Sequence, residues 1–133
     1  VRIVGYAADA GLQESLTAAA ARLGAELVAI NAGPAPRAAN ADQLLPVLRT
    51  RPDVLVFEVR RELLDTVRAE TRARATCLVC ACRGEEEVRA AVRAGADAWI
   101  LLPATADEVH ARLWALGAAS GIPGARPDPA AAE

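Results

Sequence analysis

Cys77, Cys80 and Cys82 stand within six residues of one another, and a thiol cluster of that kind could hold a metal ion or carry redox chemistry. Their spacing argues against both. Successive side chains of an extended strand point to opposite faces, which puts Cys80 and Cys82 on one side of a sheet and Cys77 on the other. Zinc would need further ligands, and the single histidine, His110, lies in a helical pattern with no matching spacing. The three thiols read as small apolar side chains of a buried strand. All fifteen basic residues are arginines, so chemistry that needs a lysine ammonium, whether a Schiff base or a phosphate-binding loop, is excluded. The run Gly5-Tyr6-Ala7-Ala8-Asp9-Ala10-Gly11 is not a dinucleotide-binding GxGxxG, and no GxxxxGK occurs. No metal and no cofactor is expected. The carboxylates that remain of interest are Asp9 and Glu58, each at the end of an apolar run.

The elements that must position these residues alternate along the chain. Val1 to Tyr6 reads as a strand, followed by a helix over Gly11 to Leu23 with Leu12, Leu16, Ala19, Ala20 and Leu23 on one stripe and Gly24 as its stop. Glu26 to Ile30 is a second strand. A loop rich in Gly, Pro and Ala (Asn31 to Ala39) leads to a helix starting near Asn40, with Pro46 expected in its first turn or at a kink. Asp53 to Val59 is an apolar run broken only by Glu58, as suits a central strand covered on both faces. A helix over Arg61 to Glu70, a strand over Thr76 to Ala81 and a helix over Glu85 to Ala94 follow. In that last helix Val88, Ala91 and Val92 should face inward and Glu86, Arg89 and Arg93 should face water. Trp99 to Leu102 is the fifth strand, and Thr105 with Glu108 forms a capping box for a final helix whose Val109, Leu113 and Leu116 pack inward. Residues 1–118 form one domain. Residues 119–133, rich in proline, glycine and alanine, read as a disordered linker from which more chain would continue.

Five βα units in succession imply an α/β fold, a doubly wound, five-stranded parallel sheet with helices on both faces. Ligands and chemistry in such sheets sit at the carboxyl ends of the strands. The chain has 133 residues, of which 53% are apolar and 24% charged, and its formal charge is -2. It therefore carries no basic excess to hold a phosphate backbone, and direct nucleic-acid binding is not expected. No apolar run is long enough to cross a membrane and no signal peptide is visible, which points to a cytoplasmic domain.

Residues 1–118 resemble a response-regulator receiver domain. The segment Pro52-Asp53-Val54-Leu55-Val56-Phe57-Glu58 is similar to that family's Pro-Asp-apolar strand ending in the phospho-accepting Asp. Ala94-Gly95-Ala96-Asp97-Ala98-Trp99-Ile100-Leu101-Leu102-Pro103 resembles its Gly-Ala-Asp-Asp-Tyr-Leu-x-Lys-Pro segment. The resemblance puts the acceptor at Glu58, the Ser/Thr at Cys80, the switch aromatic at Trp99 and the lysine at Leu102. The acid pair that follows the first strand falls on Ala7 and Ala8, leaving Asp9 as the only carboxylate there. Phosphoryl transfer to a carboxylate needs a divalent cation held by acids, with positive charge and a hydroxyl on the phosphoryl oxygens. Those groups are missing, so the resemblance implies a degenerate receiver without phosphorylation chemistry and without enzymatic activity.

Such a domain would act as a protein-interaction, dimerisation and regulatory module for an attached output domain in bacterial signal transduction. The output could be a helix-turn-helix domain or a ParA/MinD-like ATPase of the kind found in pilus-localisation proteins. Family members commonly pair through the fourth and fifth helices and the fifth strand, which makes Trp114, Arg89 and Arg93 candidate interface residues of a homodimer. A second reading makes the domain a small-molecule sensor, with a less polar cleft bounded by Ala7, Ala8, Glu58, Cys80 and Leu102. Individual residues also carry two readings. Glu58 either mimics a phosphorylated aspartate, with Arg60 or Arg83 as its countercharge, or is a strand-end carboxylate with no signalling role. Trp99 is either the switch aromatic or a bulky cover for a small-residue core. Trp114 either presents an interface or folds down over its helix edge.

Overall fold

A computed structural model of the chain describes residues 1–32 and 39–120. The elements run β1 (Arg2–Ala7), α1 (Ala10–Leu23), β2 (Glu26–Asn31), α2 (Ala39–Leu48), β3 (Val54–Glu58), α3 (Arg61–Ala73), β4 (Cys77–Cys82), α4 (Glu85–Ala94), β5 (Ala98–Leu101) and α5 (Ala106–Ser120). Every strand pair is parallel, and the sheet order is β2-β1-β3-β4-β5. The doubly wound sheet expected from the alternation is therefore the fold. β3 lies at its centre, with all five residues buried. Continuous burial on both faces is why this strand reads as an apolar run and not as an alternating one.

Two cores result from the two faces. On one, Tyr6, Phe57, Leu55, Leu78, Cys80 and Cys82 pack with Leu44, Leu48, Leu64, Val67 and Ala91 of α2, α3 and α4. On the other, Ile3, Val54, Val56, Val79 and Ala81 pack with Leu12, Leu16, Ala19 and Ala20 of α1 and Val109, Leu113 and Leu116 of α5. Cys77 joins this second cluster, so the thiols divide between the faces as strand alternation requires. The rings of Tyr6 and Phe57, on adjacent strands, stack at 5.5 Å.

Several local expectations change. Val92, expected inward, is 59% exposed. It lies one residue, about 100° of rotation, past buried Ala91, while Val88, Ala90 and Ala94 supply the rest of the inward stripe. Pro46 falls inside α2 and not in its first turn; α2 opens at Ala39, and the burial of Leu44 and Leu48 on either side of Pro46 holds the segment helical. α3 continues past Glu70 to Ala73, since no glycine stops it, and the chain then turns at Ala75 with a left-handed φ of 57°. α5 runs through Gly117, which is helical and buried, to Ser120. The proposed linker beyond that point, like most of the loop after Asn31, lies outside the described residues. Gly24 and Gly95 do close α1 and α4, at φ 66° and 83°.

Gly5 is required by close approach: a Cβ there would stand 2.9 Å from Leu16 Cδ1, in the tight seam between β1 and α1. Gly5→Ala should therefore cost about 1–3 kcal/mol by overpacking, read as a lower urea midpoint. Ala75→Gly should do the reverse, since relief of the left-handed strain exceeds the entropy glycine adds to the unfolded chain; a gain of about 0.5–1 kcal/mol is expected in the same titration.

Candidate functional site

The carboxyl ends of β1, β3 and β4 bring three charged residues together. Glu58 closes β3 and is 2% exposed. Burial of a carboxylate is costly without countercharge and hydrogen bonds. Glu58 has both. Its Oε1 accepts the backbone N–H of Asp9 at 3.0 Å and Nη2 of Arg83 at 3.3 Å, and its Oε2 lies 3.9 Å from Nη2 of Arg60. Both arginines weighed as partners for Glu58 thus reach it.

Asp9 is committed locally as well. It is the N-cap of α1, its Oδ1 accepting the N–H of Leu12 at 2.9 Å, and its Oδ2 lies 3.5 Å from Arg83 Nη2. The helix expected from Gly11 left that role unassigned; the signal for it is an aspartate three residues before Leu12, the first residue of the apolar stripe. Arg83 follows β4 directly, and its backbone N–H donates to Glu87 Oε1 at 2.8 Å. The hydrogen bond to Glu58 holds the Arg83 guanidinium above the usual arginine range even though partial burial opposes the charge.

The other expected positions do not join this cluster. Ala7 is buried and Ala8 exposed, and neither brings charge. Leu102 is half-buried against the α1/α5 core. Cys80 is fully buried, in register between Phe57 and Trp99, and burial pushes its thiol up to about 12; Cys82 is pushed up to about 11 for the same reason. Trp99 packs partly against the core from the edge strand, and the Arg112 guanidinium sits 5.1 Å from its ring centroid. It covers the open side of the core. Arg89 and Arg93 are exposed on α4, with Arg89 paired to Glu85 at 2.8 Å. Trp114 is half-buried, and its indole Nε1 is shielded from solvent with no hydrogen-bond partner among the described residues. It lies two helical turns after Asp107, which pairs with Arg22 of α1.

Of the residues named for the less polar cleft of the sensor reading, Ala7, Glu58 and Cys80 are each buried to 2% exposure or less, Leu102 is half-buried and Ala8 is exposed. The described grooves lie elsewhere: one of about 620 Å³ between α3 and α4, lined by charged residues including Arg61, Asp65, Glu86 and Arg93, and one of about 310 Å³ between β5 and α5 beside Trp99. Among the described residues no group of three or more His, Cys, Asp or Glu could hold a metal ion, and no helix is long and apolar enough to cross a membrane.

The fold is similar to that of the chemotaxis protein CheY4 of Vibrio cholerae, with TM-score 0.67, 15% identity and coverage of 87% of this chain and 98% of that one. It is also similar to a CheY-like response regulator receiver domain protein from Methanospirillum hungatei, with TM-score 0.67, 18% identity and coverage of 90% and 96%. DrrB of Thermotoga maritima, an OmpR/PhoB homolog, matches at TM-score 0.71 and 15% identity over 90% of this chain but 53% of its own. At such identities the likeness establishes the architecture alone. No family model matches the sequence, and no curated protein is similar to it.

Two measurements check the site. Losing one partner of a buried ion pair costs roughly 3–5 kcal/mol, and because Arg83 is half-exposed and rehydrates, Glu58→Ala should cost about 2–3 kcal/mol, with Glu58→Gln costing less. Cys80 and Cys82 stay protonated and shielded through pH 9, so a thiol reagent should label at most Cys77 promptly in the native protein and all three cysteines once urea is added.

Proposed function

We propose that this chain is a phosphorylation-independent, receiver-like regulatory module that works through protein contacts, and that it is not an enzyme. The observation that carries this reading is the state of Glu58. The carboxylate in the acceptor position is buried, and its oxygens already face Arg83, Arg60 and the Asp9 N–H. A phosphoryl group would have to displace that arrangement. Asp9 is held by the α1 cap and Arg83, and Leu102 offers no cation, so neither metal nor phosphate finds its usual partners. Of the two readings of Glu58, permanent countercharge by arginine favours a fixed, active-like arrangement over a strand-end residue without a role.

The surface supports protein contact instead. Among the described residues the large apolar side chains that stand exposed are Val92 on α4 and Leu101 on β5, 59% and 49% accessible, on neighbouring elements. β5 is an edge strand with one side unpaired. We therefore place a homodimer contact on α4, β5 and α5, with Arg89 and Arg93 at its rim and Trp114 behind it. DrrB, in which this fold occupies about half of the chain, illustrates a fold of this kind joined to further polypeptide. An attached output domain, helix-turn-helix or ParA/MinD-like, suits the present chain, acting in the cytoplasm and with no nucleic acid bound by this domain itself.

Incubation with Mg²⁺ and acetyl phosphate, or with Mg²⁺ and beryllofluoride, should leave the intact mass and the amide NMR spectrum unchanged. A stable Mg²⁺-dependent adduct on Glu58 would end the reading. For the contact surface, Val92→Glu and Leu101→Glu should each shift sedimentation toward the monomer while leaving the fold intact by circular dichroism; a wild-type chain that is monomeric at high concentration removes the dimer from the account.

A further inference from the structure

Glu58 ends β3, Asp9 lies between β1 and α1, and Arg83 lies between β4 and α4. One guanidinium nitrogen, Arg83 Nη2, stands 3.3 Å from Glu58 Oε1 and 3.5 Å from Asp9 Oδ2. It bridges the two carboxylates as a small cation would. The same Glu58 oxygen accepts the Asp9 N–H, and Asp9 Oδ1 caps α1. The backbone N–H of Arg83 is bonded to Glu87 in the first turn of α4. The groups facing the guanidinium are Glu58, Asp9 and Glu87, all acidic, so its charge is matched from all three turns. Arg60 Nη2 lies 3.9 Å from the other oxygen of Glu58.

We propose that Arg83 is the resident cation of this site, a countercharge supplied by the chain itself that couples the capping of α1 to the placement of α4. The start of α4 is then set by an intramolecular ion pair, where a dissociable ion would make it conditional. This goes beyond the regulatory reading above and stands whether or not an output domain is attached.

Amide hydrogen exchange on the full chain tests this, comparing wild type with Arg83→Gln, Arg83→Lys and a control, Arg89→Gln, whose partner Glu85 lies on the same helix. Arg83→Gln should speed exchange by at least about ten-fold both at Asp9 and Leu12 and across Glu87 to Ala91, whereas Arg89→Gln should speed it on α4 alone. Loosening of α4 with no change at Asp9 and Leu12, or no change at either turn, overturns the proposal. Should Arg83→Gln fail to fold, Arg83→Lys decides: its ammonium keeps the charge but ends on a shorter side chain than the one that carries Nη2 to both carboxylates, so both turns should respond in the same direction by a smaller factor. A response at one turn only, or at neither, again overturns it. An adduct on Glu58 would end the regulatory reading without altering this result.

Discussion

A carboxylate buried at the end of the central strand is the constraint around which this end of the molecule is built. β3 is covered by helices on both faces and flanked by β1 and β4, so Glu58 cannot turn to bulk water. An unpaired charge there would be neutralised or would unfold the turn. The chain answers with arginine from two directions and a backbone N–H from a third. Once those partners are in place, the geometry of the β1–α1, β3–α3 and β4–α4 turns is no longer independent. The same contacts that make Glu58 tolerable occupy both of its oxygens.

The packing beneath is consistent with a rigid platform for that cluster. Small residues let α1 approach β1 closely, with Ala19, Ala20 and Ala7 buried and Gly5 lying under Leu16. On the opposite face, Tyr6 stacked on Phe57 supplies the bulk that an alanine-rich chain otherwise lacks. Cys80 and Cys82 fill space beside these rings, and their raised thiol pKa values follow from the same dryness that makes them good core residues. Interiors packed at this density transmit displacement instead of absorbing it.

At the carboxyl ends of β1, β3 and β4 the charged side chains pair with one another, while apolar surface is left open on α4 and at the β5 edge. Trp99, held between the core and Arg112, closes the core on that side and presents a charged cover to solvent.

Much of this was legible in one dimension. Hydrophobic period, glycine stops and the order of apolar runs are local properties, and they sufficed for five strands, five helices, the central position of β3 and the separation of Cys77 from Cys80 and Cys82. So was the deficit of lysine and of acids after β1, because absence of a residue type needs no coordinates. Where the reading failed, the deciding term was tertiary. Val92 and Val88 are equally apolar, and only the angle at which α4 lies on the sheet sends one inward and leaves the other exposed. Gly117 carries the sign of a helix end, yet burial against the sheet keeps it helical. The meeting of Arg83, Glu58 and Asp9 is of the same kind. Sequence determined that each charge stands at a strand end, but residues 25 and 74 positions apart become partners of one guanidinium only when parallel strands bring their carboxyl ends together, because the Coulomb term acts through space and not along the chain.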